Sequence, residues 1–157
     1  MNEIIPAKSV NGFELNWDLD HLMGSIGNKE LIQYRETDLT IVVSYNYYKF
    51  WISKEDKKII QIGVYPGFKG DYYGIGIGST LVDIKKQFGS WIENLDVYSI
   101  PDKDGICFEL ADNDIDEEWV EESAPIEAIY IYNPEEFDTT SDIVYDTVTE
   151  QYVDKRN

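Results

Sequence analysis

Three sets of residues carry types and spacings that chemistry could use. The first is YYGIGIGSTLVDIKKQFG, residues 72–89, where glycines alternate with isoleucines ahead of a Ser-Thr pair. A phosphate-cradling loop of the G-x-x-x-x-G-K-[ST] kind needs a lysine before its hydroxyl residue, but here Gly78 runs straight into Ser79 and Thr80. A dinucleotide loop needs glycine at the sixth place of G-x-G-x-x-G; Gly74 and Gly76 supply the first two, and the sixth place holds Ser79. Both motifs fail. The second set is the lone His21 and lone Cys107, a nucleophilic pair only if the fold brings them together. The third is DNDIDEE, residues 112–118, which opens like a calcium loop at Asp112, Asp114 and Asp116. It then places Glu117 where the turn needs glycine and Ser123 where a bidentate glutamate belongs. One histidine and one cysteine make no zinc pattern. Abundant Asp and Glu beside aromatics admit a carboxylate pair for sugar hydrolysis, but a chain this small has little room for a deep sugar cleft. The expectation is a chain with no catalytic residues, no bound metal and no cofactor.

Stretch 72–89 has a structural reading. Ile75 and Ile77 alternate with small residues as a strand does, and Thr80 stands three places before Asp83 as in a capping box. Leu81, Ile84 and Phe88 then form one apolar stripe, Lys85 and Lys86 suit the negative helix end, and Gly89 supplies the stop. The same layout occurs in GFELNWDLDHLMGSIG, residues 12–27, where Leu19, Leu22 and Ile26 align with Leu81, Ile84 and Phe88. Three strand-like runs follow each helix: 39–45, 47–53 and 58–65, then 93–100, 105–110 and 126–132. The PDKDG turn, 101–105, fits a hairpin connection. These patterns predict an α+β fold, a largely antiparallel sheet with two short helices, built as a tandem β-α-β-β-β repeat over 12–65 and 74–132. The second copy is longer, with its excess placed in the acidic insertion 111–125.

Size and charge bound the rest. The 157 residues suit one domain, taken as 1–134, followed by an acidic extension, 135–157. No apolar run is long enough for a membrane span, and the start MNEIIPAKSVNG is no secretory signal. With a single cysteine, a cytoplasmic protein is expected. The net charge of −18 is lopsided: residues 1–91 hold 11 acids and 10 bases, whereas 92–157 hold 20 acids and 3 bases. Such a field repels nucleic acid and anionic membranes and steers a basic partner.

Aromatics make up 14% of the chain, and Trp119 sits between paired acids in DEEWVEE. A tryptophan ringed by carboxylates suits a plug for a cationic cleft, with the ring giving contact area and the acids giving fast encounter. The expected contact surface is therefore Asp112, Asp114, Asp116, Glu117, Glu118, Trp119, Glu121 and Glu122, with Glu135, Glu136 and Asp138 in support. Segments 74–89, 105–110 and 125–132 (GIGIGSTLVDIKKQFG, GICFEL, PIEAIYIY) resemble immunity proteins of interbacterial toxin systems, of the contact-dependent growth inhibition type. That resemblance implies a cytosolic, non-enzymatic binder that blocks a cognate toxin domain, often a nuclease, and it transfers no site residues. Charge leads to the same partner, because a nuclease grips its substrate in a basic groove. The alternative is an acidic scaffold or regulatory interaction module.

Overall fold

The computed structural model describes residues 3–27, 29–95, 97–111, 120–135, 143–146 and 151–154. Three short strands, β1 (Ile4–Ile5), β2 (Ser9–Val10) and β3 (Phe13–Glu14), lead into helix α1 (Leu19–Ser25). A 3-10 turn (Lys29–Leu31) precedes β4 (Ile32–Glu36), β5 (Thr40–Tyr45), β6 (Tyr48–Ser53) and β7 (Ile59–Val64). The hairpin β8 (Asp71–Tyr72) and β9 (Ile75–Gly76) leads into α2 (Leu81–Phe88). Next come β10 (Ile92–Asn94), β11 (Val97–Ser99), β12 (Ile106–Leu110), a 3-10 turn (Glu121–Ser123) and β13 (Ile126–Tyr132). A C-terminal hairpin, β14 (Ile143–Asp146) with β15 (Gln151–Asp154), pairs within itself.

The α+β expectation holds. Eight antiparallel strands form one sheet in the order β10-β11-β12-β13-β7-β6-β5-β4. Each half supplies four neighbouring strands and one helix, so the repeat is present with one more strand per half than the sequence showed. Two local reasons hid those strands. IQYRE in β4 is a short edge strand with one half-buried and four exposed residues, and the run 93–100 folds on itself, with Leu95 turning at φ 54° between β10 and β11.

Paired contacts recur at the offsets that relate the copies. Asn16 and Trp17 exchange backbone hydrogen bonds with Ile59, and Gly78 and Ser79 do the same with Ile126. The irregularity in register at Trp51/Ile52 in β6 recurs at Glu109/Leu110 in β12. In the centre, β7 and β13 pair Ile62 with Ile131 and Val64 with Ile129, so the pseudo-twofold axis passes through the pair Gly63–Tyr130. A side chain on Gly63 would stand about 3.0 Å from the Tyr130 ring and 3.1 Å from Trp51, so glycine on one side of the axis makes room for tyrosine on the other.

Both helices begin as their sequences dictate. Asp18 Oδ1 accepts from the His21 N–H at 2.7 Å, and Thr80 and Asp83 form a reciprocal capping box. Gly89, at φ 94°, closes α2 by donating to the Lys85 carbonyl. Leu22 and Ile26 after α1's first turn, with Leu81 and Ile84 of α2, enter one core with Phe50, Ile62, Phe108 and Ile129. Both helices therefore cover the same face of the sheet. The opposite face holds a second cluster of Val42, Trp51, Ile60, Cys107, Ala128 and Tyr130, to which no helical residue belongs.

On that second face the Tyr65 and Tyr130 hydroxyls are 3.2 Å apart, and Lys49 Nζ lies 5.1 Å from the Tyr65 ring. Burial raises the Tyr65 pKa from 10.0 to about 12, against a smaller lowering by its bond to Tyr130. Burial likewise raises Tyr48 to about 12, against its hydrogen bond from Asn11. A raised folded pKa on a group that ionises by losing a proton gives a definite sign. The unfolded chain releases these protons first, so their contribution to stability is complete below pH 10 and is lost as pH rises towards 12. Ultraviolet titration at the phenolate band is expected to show a late-ionising group of tyrosines and unfolding in the same window. Simple titration of every tyrosine near pH 10, without unfolding, would contradict this.

Candidate functional site

Among the described residues, the second copy presents a depression of about 390 Å³ where α2 meets the 3-10 turn 121–123. Leu81, Val82 and Lys85 of α2 line it, with Gly89, Ser90, Trp91 and Glu122. Its geometry follows from local rules. The Gly89 stop turns the chain sharply, so that Trp91 lies beside the helix it has just left. The Trp91 ring meets the Tyr98 ring edge-on at 5.7 Å, and the Tyr98 hydroxyl donates to Glu121 Oε2 at 3.1 Å. The turn closes through Ser123 and Ala124 donating to the Val120 carbonyl, and buried Ala124 anchors it. Helix, indole, phenol and acidic turn thus form one connected unit.

The surface around it is largely apolar, with Lys85 and Glu122 as the charged residues of its lining. Val82 is 40% exposed and Val120 54%, with Ile92 and Leu95 also exposed on the neighbouring edge hairpin. Glu122 stands exposed at the rim, and residues 112–118 add five carboxylates to the chain just ahead of Val120. Such a site offers desolvated contact area and acceptors for Arg or Lys, which is the chemistry of protein recognition.

The first copy serves as an internal control. At the offset that superposes α1 on α2, Val82 corresponds to Asp20, Lys85 to Met23 and Trp91 to Lys29. Exposed Val82 and half-buried Trp91 thus stand where the first half has charged residues, whereas Lys85 is charged where the first half has Met23. Sequence reading missed Trp91 and Val82 at this depression.

The expected contact residues divide in two. Glu122 lines the depression and Glu121 accepts from Tyr98 beside it, whereas Glu135 lies exposed beyond the end of β13, its N–H donating to Asn133 Oδ1 at 3.0 Å. Asp112, Asp114, Asp116, Glu117, Glu118, Trp119, Glu136 and Asp138 lie outside the described residues, and so does the partial calcium-loop pattern.

The remaining chemical candidates separate. His21 lies on α1, its ring against Trp17 at 4.1 Å, on the helical side of the sheet. Cys107 is buried on the opposite face, where burial and then Glu109 push its thiol pKa far up. They form no nucleophilic pair. No group of three or more His, Cys, Asp or Glu residues among the described residues is placed to hold a metal ion. No helix among them is long and apolar enough to cross a membrane.

No protein family profile and no curated protein matches the chain. Among solved structures, it is similar to an extracellular protein containing a SCP domain from Bacillus anthracis str. Ames, at 15% identity and a TM-score of 0.44. The match covers 86% of this chain and 51% of that one, so the chain spans about half of that protein's length.

Proposed function

We propose that the chain is a cytosolic, non-enzymatic immunity protein that binds and neutralises a cognate bacterial toxin domain with a basic cleft, most simply a nuclease. The supporting observation is the depression at Trp91 and Glu122, where Val82 and Trp91 stand in place of the first copy's Asp20 and Lys29, and which adjoins at Glu122 the stretch 92–157 that holds 20 of the 31 acids. Carboxylates steer a basic partner into encounter, and the indole with its aliphatic neighbours supplies the desolvated centre of the contact. Such a binder acts by occupying the groove in which a nuclease holds its substrate.

The test begins with the full chain as bait in its native cell, followed by an activity assay of any basic protein recovered. Stoichiometric inhibition of that protein is expected. Reversing Glu117, Glu118, Glu121 and Glu122 to lysine together should then slow association about 10- to 100-fold at low salt and flatten its salt dependence. An unchanged association rate would remove this segment from the interface. A scaffold reading draws on a different observation, the exposed edge β10 with Ile92 and Leu95. A partner that binds without losing any activity would favour it.

A further inference from the structure

The helix-free face of the sheet presents a problem of cover. A sheet with one wet face alternates buried and exposed residues along its strands. Strand β7 does not alternate: all six of its residues are buried. On the helix-free face Trp51 is 0% exposed, Val42 2%, Tyr130 3% and Ile60 4%, although both helices lie on the other side. A layer must therefore cover this face.

We propose that this layer is the chain's own C-terminal hairpin, β14–β15. This inference rests on burial of the sheet and is independent of the toxin-binding reading. Three observations support it. An isolated two-stranded hairpin is at best marginally stable in water, and every pairing of β14 and β15 is with the other. A surface to pack on supplies what the hairpin lacks.

The charges also match. Arg35 and Lys49 share a depression of about 330 Å³ with Gln33, Val42 and Ser44 on this face. Burial and then Arg35 lower the Lys49 pKa, Glu109 raises it, and further acids over this face act in the same direction as Glu109. Residues 135–157 carry seven acids against two bases, with Asp146 and Asp154 in the hairpin strands themselves.

The geometry allows it as well. Tyr132 ends β13 in the row Tyr132–Gln61–Trp51–Val42–Arg35. Four strand spacings of about 4.8 Å separate its ends, roughly 19 Å. Residues 133–142, at about 3.3 Å each when extended, span more than that.

Nuclear Overhauser contacts in the full chain test the proposal, using a mixture of labelled and unlabelled protein to separate contacts within and between molecules. Contacts within one molecule from 143–146 and 151–154 to the rings of Trp51, Tyr65, Tyr130 and Tyr132 are expected. The double variant Arg35→Glu, Lys49→Glu should lower amide protection in the hairpin about tenfold while leaving β5 and β7 unchanged. Should that variant fail to fold, Val153→Lys on the hairpin is expected to give the same selective loss. Contacts seen only between molecules would assign the cover to a second copy and overturn the proposal. So would hairpin contacts confined to the helical side, or hairpin protection indifferent to both variants.

Discussion

Substituting Gly105 by alanine is expected to destabilise the chain by about 3–5 kcal/mol, combining a left-handed backbone with a steric clash. Gly105 adopts φ 86° at the end of the turn before β12. A Cβ there would lie 2.5 Å from the Ala7 Cβ and 2.6 Å from the Ala7 nitrogen, which donates to the Gly105 carbonyl at 3.1 Å. The neighbour is backbone, so neither side can move without breaking the contact that fastens the β1–β2 turn to the sheet. In thermal unfolding the loss corresponds to a fall in Tm of roughly 10–15 °C. Gly12 is the control, with φ 87° and nothing within 4 Å of its missing Cβ. Gly12→Ala is expected to lose only the conformational part, about 1–2 kcal/mol. Equal losses at both positions would show that the Ala7 contact contributes nothing.

The second large effect concerns recognition. Trp91→Ala is expected to weaken binding to the proposed toxin domain by about 2–4 kcal/mol, as truncation of a central aromatic anchor does. That equals roughly 30- to 1000-fold in Kd. Lys29→Ala, at the corresponding place in the first copy, is expected to leave Kd unchanged. Because Trp91 also packs on Tyr98, the measurement needs a surface substitution beside it. Val82→Asp imports the first copy's residue at a position 40% exposed, where folding tolerates charge. It should weaken binding about tenfold while leaving Tm within about 2 °C. Unchanged affinity in both variants would place the contact elsewhere.

How far the structure could be read in advance depended on how local its determinants are. Helix α2 was legible because Thr80, Asp83 and Gly89 are cap residues acting within a single turn of their own positions. The repeat was legible because Leu19, Leu22 and Ile26 keep the spacing of Leu81, Ile84 and Phe88. Strand β4 was not, because as an edge strand it buries little, and the two apolar side chains of IQYRE, Ile32 and Tyr34, are too short a pattern to mark it. The β10–β11 hairpin was hidden because it turns at Leu95 rather than at glycine or proline. Of the expected acidic contact residues, Glu122 lines the depression and Glu121 accepts from the Tyr98 hydroxyl, and composition alone had pointed to both. Trp91 was missed because its role comes from Glu122, 31 places further on, meeting α2 in space. No local pattern records that meeting. The separation of His21 and Cys107 onto opposite faces is equally non-local.

The central claim is that the second copy, and not the first, meets a basic partner through the depression between α2 and the turn 121–123. Amide hydrogen exchange of the full chain, alone and bound to the basic domain it captures, addresses this directly. Slowed exchange is expected across 82–91 and 120–123, with 20–27 and 29–31 unaffected. Slowed exchange at α1 with none at α2 would contradict the account.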